Sequence, residues 1–422
     1  MLHANCIEYS DISSEHLVGL RKSRNSYCLD NLLFPVARQE FYSRYWEREV
    51  LHVVRGDAAH FAALPGMDDV ERLITATVPE EQHDRIVKVV EGKRIEEPLV
   101  YKLGVTPDLY RVLADYREGA SIVLSHVHKR CPSIAKLTGG LRETLHHPVG
   151  ANLYLTPANS QCFPPHFDTH DVFILQLAGS KIWRLGAVER ELPLNEEMNH
   201  RPRNFAPARE LTLAVGDVLY LPRGTPHEAV ATDASSLHLT VGVHVLRLVD
   251  YLTQALQQMA SDDIRLRRAL GPGFLDAPID GALAGIVADL GARLADSRLE
   301  EQTLVRLGGA SRRNRAAAQR GHFRSIDAIA KLDDASQVTC VDGAFVRVED
   351  RADGVAIVFG GNFVSGPARM ADAFAFVAAH RSFVVGDLPG LRSREERRKV
   401  VDRLISEGLL LCLSDDGGEY DN

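Results

Sequence analysis

The stretch Pro164-Pro-His-Phe-Asp-Thr-His-Asp-Val-Phe-Ile-Leu-Gln-Leu177 decides how this chain is read. An apolar, β-prone run from Val172 to Leu177 is preceded by His166 and Asp168, and in an extended chain residues i and i+2 project from the same face. One imidazole and one carboxylate so placed can hold two adjacent corners of an octahedron. A second imidazole from a neighbouring strand would complete the two-histidine, one-carboxylate set typical of non-haem iron(II). The segment Val215-Gly-Asp-Val-Leu-Tyr-Leu-Pro-Arg-Gly-Thr-Pro-His-Glu228 offers it. There Gly216-Asp217 and Arg223-Gly224 mark turns around a short strand, and His227 follows, on a strand expected to return beside the first.

Such a triad leaves three positions open, two for a bidentate 2-oxo acid and one for dioxygen. The far end of that acid then needs a cation. Lys181, in Leu177-Ala-Gly-Ser-Lys-Ile-Trp-Arg184, lies one strand beyond the His-x-Asp pair, and a buried lysine requires a charged partner of this kind. Asn152 and Tyr154, in ANLYLTP, share a strand face and carry groups able to hydrogen-bond the same acid. A lone His-x-Asp among 17 histidines is expected by chance; His227 and Lys181 give this one its weight. His170 and Asp171 read as structural or substrate-proximal, with Asp171 turned away from Asp168. His238 and His244 fall in an apolar strand as core or pocket-edge histidines, His238 nearer the site. Phe173, Trp183 and Tyr220 read as core aromatics.

Working outward, residues 151–244 alternate short apolar runs (NLYLT, DVFILQLAG, KIWRLG, LTLAVGDVLYLP, LHLTVGVHV) with Gly, Pro and Asn, which predicts a barrel or sandwich. Upstream, Phe41–Arg55 passes from a helix-compatible stretch into a strand ending at Val54, and GDAAHF reads as a turn. Met67, Val70, Leu73 and Ile74, then Leu109, Val112 and Leu113, predict flanking helices. Downstream, Leu248, Leu252, Ala255, Leu256 and Met259, and Leu283, Ile286, Val287, Leu290 and Leu294, each line one helical face. A last unit is expected to hold strands at Ala344–Val348 and Val355–Phe359 and helices at Ala368–Ala379 and Arg394–Glu407, an order like a small winged helix. Ser393 and Glu396 have capping-box spacing and Gly408 marks a stop. The stretch RRNRAAAQR from Arg312 and the acidic end SDDGGEYDN read as exposed linker and tail.

The whole chain sets bounds. Its 422 residues exceed the usual size of one domain, and 45% hydrophobic with 25% charged residues describes an ordinary globular protein. A net charge of -8 and the lack of a long basic run make nucleic acid an unexpected partner, with Arg394, Arg397, Arg398 and Lys399 interleaved with Glu395 and Glu396. Cys6, Cys28, Cys131, Cys162, Cys340 and Cys412 form no Cys-x-x-Cys pair, which suits a reducing cytoplasm. Neither a signal peptide nor a membrane span is read.

The stretch ANLYLTPANSQCFPPHFDTHDVFILQLAGSKIWRLG, followed by GDVLYLPRGTPHEA and SLHLTVGVH, resembles the cupin-like JmjC oxygenases of the ribosomal oxygenase family, of the bacterial ribosomal-protein hydroxylase type. YWEREVLHVVRG resembles that family's N-terminal entry. The resemblance covers most of the chain and implies an α+β fold. An N-terminal extension at 1–30 would precede a double-stranded β-helix (jelly-roll, cupin/JmjC) barrel with flanking helices at 31–247. A helical dimerisation region at 248–305 and a winged-helix-like domain at 306–422 would follow. It implies His166, Asp168 and His227 as ligands of Fe(II), Lys181 as partner of the distal carboxylate of 2-oxoglutarate, a homodimer, and hydroxylation of a side-chain carbon of a protein or peptide, a ribosomal protein being the family's target. Other readings stay open: an oxygenase of a biosynthetic peptide or small molecule, a cupin metalloenzyme without 2-oxoglutarate, and a non-catalytic winged-helix regulator.

Overall fold

The computed structural model describes residues 6–7, 28–76, 83–90, 93–99, 101–102, 106–195, 202, 204–272, 275–276, 282–313, 321–341, 346–351, 353–359 and 362–413. Most of the expected N-terminal extension, Arg315, Ala344 and the acidic end 414–422 lie outside them. The chain forms two compact units that divide after Val245.

The first unit contains strands β1 (Cys6–Ile7), β2 (Leu51–Val53), β3 (Arg85–Val90), β4 (Lys93–Pro98), β5 (Tyr101–Lys102), β6 (Thr106–Pro107), β7 (Ser121–Leu124), β8 (Val149–Thr156), β9 (Asp171–Ala178), β10 (Lys181–Gly186), β11 (Pro207–Leu213), β12 (Val218–Leu221), β13 (His227–Ala231) and β14 (Ser236–Val243). Its helices include α1 (Leu29–Leu33), α2 (Val70–Thr75), α3 (Leu109–Arg117) and α4 (Pro132–Leu145). One sheet runs β1-β2-β12-β9-β14-β8-β7-β3-β4, antiparallel except for β1 beside β2, and a second runs β11-β10-β13. Single antiparallel bridges, Gln161 to Val230 and His166 to His227, continue the second sheet beyond β13.

The two sheets face each other across a core that explains the unbroken apolar run of β9. Val172 and Ile174 point to Trp183, Leu185, Leu211, Leu213, Leu219 and Leu221 between the sheets. Phe173 and Leu175 point the other way, into a larger core with Phe41, Tyr45, Leu153, Tyr220, Leu239, Val241 and the apolar sides of α1, α2 and α4. A strand buried on both faces loses the polar alternation of a half-exposed one. Each fully buried Leu, Ile or Phe contributes about 1.5–3 kcal/mol, so these two clusters hold the frame on which the site is built.

The run LTLAVGDVLYLP, read as one segment, is two strands in different sheets. β11 pairs with β10 and β12 pairs with β9. Gly216 makes the crossing: its φ is +92°, and a Cβ there would lie 2.1 Å from the backbone oxygen of Asp57. Gly216→Ala therefore strains the turn and forces the 57–58 backbone aside. We expect a stability loss of at least about 1–3 kcal/mol, read as a lower urea midpoint with an unchanged slope. The same two-sheet arrangement corrects the expected return of the strand after His227. β13 does not lie beside β9; the 222–226 loop carries the chain from the β9 sheet to the β10 sheet.

The second unit begins with α5 (Leu248–Asp262), α6 (Ala282–Leu294) and α7 (Ser297–Arg313). In α5 the expected single apolar face is divided: Ala255 and Met259 are buried, whereas Leu248, Leu252 and Leu256 are exposed. α7 runs past residue 305 to Arg313, so Arg312 and Arg313 belong to a helix and not to a linker. Then follow α8 (His322–Ala328), β15 (Gln337–Cys340), β16 (Val346–Arg351), β17 (Gly354–Phe359), β18 (Asn362–Gly366), α9 (Ala371–Ala379), β19 (Ser382–Val384), α10 (Arg394–Ser406) and β20 (Leu410–Cys412). They form two three-stranded sheets, β19-β15-β20 and β16-β17-β18, over a core that includes Ile357, Phe374, Val401 and Leu404. Ser393 Oγ accepts the Glu396 N–H as a cap should, but the Glu396 carboxylate accepts the N–H of Arg392 instead of that of Ser393. Among the described residues no helix is long and apolar enough to cross a membrane.

Candidate metal centre

His166 and His227 stand directly opposite each other across the antiparallel bridge that extends the smaller sheet. The His166 N–H donates to the His227 oxygen at 3.1 Å and the His227 N–H to the His166 oxygen at 2.8 Å. Facing residues of such a pair put their side chains on one side, and the two rings lie with centroids 4.4 Å apart. The His-x-Asp pair is thus in the loop before β9 and touches strand structure only at His166, whereas the spacing rule took it as extended chain. Asp168 is fixed by its own carbonyl, which accepts the N–H of Gly224 at 2.9 Å, and its Oδ2 lies 3.8 Å from His227 Nε2. One ligand atom from each of the three residues falls within 4.8 Å of the others.

The protonation pattern suits a metal. His166 Nδ1 lies 2.9 Å from the Pro164 oxygen and His227 Nδ1 2.9 Å from the Thr225 oxygen. A carbonyl only accepts, so each Nδ1 carries the hydrogen and each Nε2 keeps a free lone pair. Burial pushes His227 down to about 4, helped by His166, so its imidazole is neutral at pH 7. Burial raises Asp168, but His170, His227, His166 and His244 together outweigh it and hold the carboxyl below its usual range. Two imidazoles and one carboxylate on one side, with no fourth protein ligand among the described residues, fit a divalent transition metal with open positions.

The 222–226 loop that delivers His227 is anchored by buried polar groups. Asp171 accepts the Tyr220 hydroxyl at 2.6 Å and the Arg223 N–H at 3.1 Å, and the Arg223 guanidinium pairs with Glu47. Asp171 therefore has a structural task. Tyr220 and Phe173 sit in the core as expected from their strand positions.

Behind the triad lies a polar face built by β8 and β14. Gly150 is opposite Gly242, Asn152 opposite Thr240, Tyr154 opposite His238 and Thr156 opposite Ser236; alternate residues of a strand share a face. Lys181 opens β10 and is only 1% exposed. Its ammonium donates to Thr156 Oγ1 at 2.9 Å and approaches His238 Nδ1 at 3.4 Å. Among the described residues no carboxylate pairs with it, and burial lowers its pKa to about 8. His238 stacks in parallel on Tyr154 at 4.8 Å, and burial with the Lys181 charge keeps it neutral.

Asn152 and Tyr154 thus flank the pocket, but the Asn152 oxygen is already committed to the His126 N–H at 2.9 Å. Sequence reasoning missed Thr156, which the same two-residue period from Asn152 and Tyr154 would have found. Trp183, read as core, also borders the pocket: its ring lies 5.8 Å from that of His227 and 5.7 Å from that of His238, and its buried Nε1–H has no acceptor among the described residues. A buried cation without a counter-ion beside an orphaned N–H is a chamber shaped for an anionic guest.

Residues 129–251 match the JmjC domain family. Ribosomal oxygenase 1 of Rattus norvegicus is 31% identical over 314 residues, covering 71% of this chain and 49% of its own. The bifunctional lysine-specific demethylase and histidyl-hydroxylase NO66 of Drosophila mojavensis is 29% identical over 286 residues, covering 61% of this chain and 31% of its own. The chain thus spans about half or less of the length of these relatives. Among solved structures, the Escherichia coli ribosomal oxygenase YcfD in complex with cobalt and 2-oxoglutarate superimposes with a TM-score of 0.53 at 16% identity, over 90% of this chain and 99% of that one. That likeness carries the fold, a JmjC/cupin barrel of antiparallel sheets with flanking helices. The chain is a JmjC-domain protein related to the ribosomal oxygenases.

Proposed function

We propose that this protein is an Fe(II)- and 2-oxoglutarate-dependent oxygenase that hydroxylates a side-chain carbon of a protein, with a ribosomal protein as the target class. The observation that carries the reading is the pairing of an open His166, Asp168, His227 triad with the buried ammonium of Lys181, which no carboxylate among the described residues compensates. YcfD holds cobalt and 2-oxoglutarate, and the relatives are named as ribosomal oxygenase and histidyl-hydroxylase, which supports a divalent transition metal, this cosubstrate and a ribosomal target.

Iron and 2-oxoglutarate, when bound, supply the oxidation, in which O2, the 2-oxo acid and a substrate C–H become succinate, carbon dioxide and C–OH. The chain's own residues bind, orient and exclude water. His166, Asp168 and His227 would hold the metal, with both Nδ1–H groups fixed on carbonyls so that the rings cannot turn. Lys181, set by Thr156, would hold the distal carboxylate. Asn152 and Tyr154 would border it, and Trp183 would direct its free N–H toward the same guest. Packing of Val172, Ile174, Leu219 and Leu221 between the sheets keeps water from the chamber floor.

The proposal extends to organisation. Residues 31–247 would form the catalytic part, and the helices from 248 onward would join two copies through the exposed Leu248, Leu252, Leu256 and Val287. The C-terminal sheets and helices would form a winged-helix-like domain used for packing or partner docking and not for nucleic acid, and the enzyme would work in the cytoplasm.

The test supplies the full chain with Fe(II), 2-oxoglutarate and air, with and without a ribosomal-protein extract, and measures succinate and protein masses. Extract-stimulated succinate with one protein heavier by one oxygen atom is the expected result. Succinate without any modified ribosomal protein would remove the target class, and no succinate from metal-loaded protein would remove the oxygenase reading.

A further inference from the structure

The two bridges along β13 that bring the histidine ligands together are out of step. Gln161 faces Val230 and His166 faces His227, so residues 162–165 run opposite only Glu228 and Ala229. A surplus of residues on one side of a pair is a bulge, and a bulge beside a site re-aims the side chain that follows it. This one reads Cys162-Phe-Pro-Pro165. Its prolines have no N–H to give to β13, so a regular ladder cannot continue through it. In a regular ladder counted from the Gln161 bridge, Pro164 and not His166 would stand opposite His227. The bulge therefore decides whether the two imidazoles meet.

One side chain spans the bulge. Gln161 Nε2 donates to the Phe163 oxygen, inside it, at 2.9 Å and to Glu228 Oε2, on β13, at 2.9 Å. Both partners only accept, so both amide hydrogens are used. Glu228 is held in turn by Arg184, which stands opposite Glu228 on one side and Glu210 on the other. The guanidinium approaches Glu228 Oε1 at 3.4 Å and donates to Glu210 Oε2 at 2.8 Å. Lys181, Trp183 and Leu185 are buried on the inner face of β10, so Arg184 and its partners lie on the outer one. The network reaches the metal centre only through the backbone. The Phe163 carbonyl that it holds is next in the chain to the Pro164 carbonyl, which takes the Nδ1–H of His166 at 2.9 Å. Glu228 is likewise next in the chain to His227. One amide thus ties the two segments that deliver the imidazoles.

We propose that Gln161 and Glu228 are positioning residues for the metal centre: their amide–carboxylate tie locks the Cys162–Pro165 bulge, sets the His166 imidazole beside that of His227, and raises metal affinity from the outer face of the sheet. The inference rests on the metal-binding reading of the triad and adds the residues that hold its two histidines in register.

The test titrates Co(II) into the metal-free full chain, follows the visible absorption, and records the melting of each metal-free protein. The variants are Gln161→Ala, Gln161→Met, Glu228→Ala, Glu228→Gln, and Gln161→Met combined with Glu228→Ala. Gln161→Met keeps the length of the side chain and loses both hydrogen bonds. It should weaken Co(II) binding by about ten- to a hundredfold, as should Gln161→Ala and Glu228→Ala, the range for partners that orient a metal ligand. The absorption band should shift in all three, and the metal-free proteins should melt close to the wild type. Glu228→Gln still offers an oxygen to the Gln161 amide and should stay within about threefold of the wild type. The double variant should fall no further than the weaker single one, because both changes remove the same tie. Wild-type affinity and absorption in Gln161→Met would overturn the assignment, since packing alone would then suffice. Additive losses in the double variant, or a Glu228→Gln as weak as Glu228→Ala, would overturn it too. So would metal-free melting that falls in step with the affinity, which marks general loosening. Wild type that binds no Co(II) would instead sink the metal centre itself.

Discussion

His166→Ala abolishes metal-dependent turnover and leaves the fold of the metal-free protein standing. Partners that merely orient a metal ligand already cost about ten- to a hundredfold when removed, so loss of a ligand from a set of three should exceed about a hundredfold. His166 is only half-buried and its backbone bridge to His227 does not need the imidazole. The metal-free variant should therefore melt within a few degrees of the wild type. The decisive comparison is the melting shift on adding Co(II), which is inert to turnover. A ligand at about a hundred times its Kd stabilises the form it binds by about 2.7 kcal/mol, and the wild type should show that shift while His166→Ala shows none. Asp168→Ala should behave alike. A full Co(II) shift in His166→Ala would take this residue out of the metal site, whatever the activity.

The proposed ligands could be named before the fold because the chemistry they would serve has a sequence signature. His166 and Asp168 lie two residues apart, and His227 follows turns that Gly216 and Gly224 mark, both of which take positive φ in the structure. β8, β9 and β14 were equally plain, since each is an apolar run long enough to cross the sheet and is set off by Gly, Pro or Asn.

What stayed hidden depends on contacts remote in sequence. No local pattern says that the chain crosses from one sheet to the other between β11 and β12, or again before His227. The second use of Trp183, whose ring is both core and pocket wall, follows from where His227 and His238 arrive. The strands β15, β19 and β20 are three or four residues long, too short to display a period, and each is recognisable only through its partner. The split face of α5 has the same cause: Leu248, Leu252 and Leu256 have the spacing of a buried stripe, and only tertiary packing decided that Ala255 and Met259 would be covered instead.

Lys181→Met should separate stability from function in opposite directions. In the free protein the Lys181 ammonium is buried without a carboxylate among the described residues, and replacing such a charge by an apolar side chain of similar length should stabilise by about 1–3 kcal/mol. The pH dependence fixes the cause. Burial lowers Lys181 from its ordinary 10.5 to about 8, so between those values the unfolded chain holds a proton that the folded one has released, and stability rises with pH. At about 1.4 kcal/mol for each pH unit, the folded wild type carries a penalty of about 3 kcal/mol below pH 8 that disappears toward pH 10.5. Urea melts of the free proteins should therefore show the variant's advantage below pH 8 and its loss by pH 10.5. With 2-oxoglutarate the order reverses, since a carboxylate entering that chamber without its cation loses about 2–5 kcal/mol, or about thirtyfold or more in affinity. Unchanged cosubstrate affinity in Lys181→Met would show that the distal carboxylate is held elsewhere. A stability difference independent of pH would show that the ammonium already has a counter-charge in the free protein.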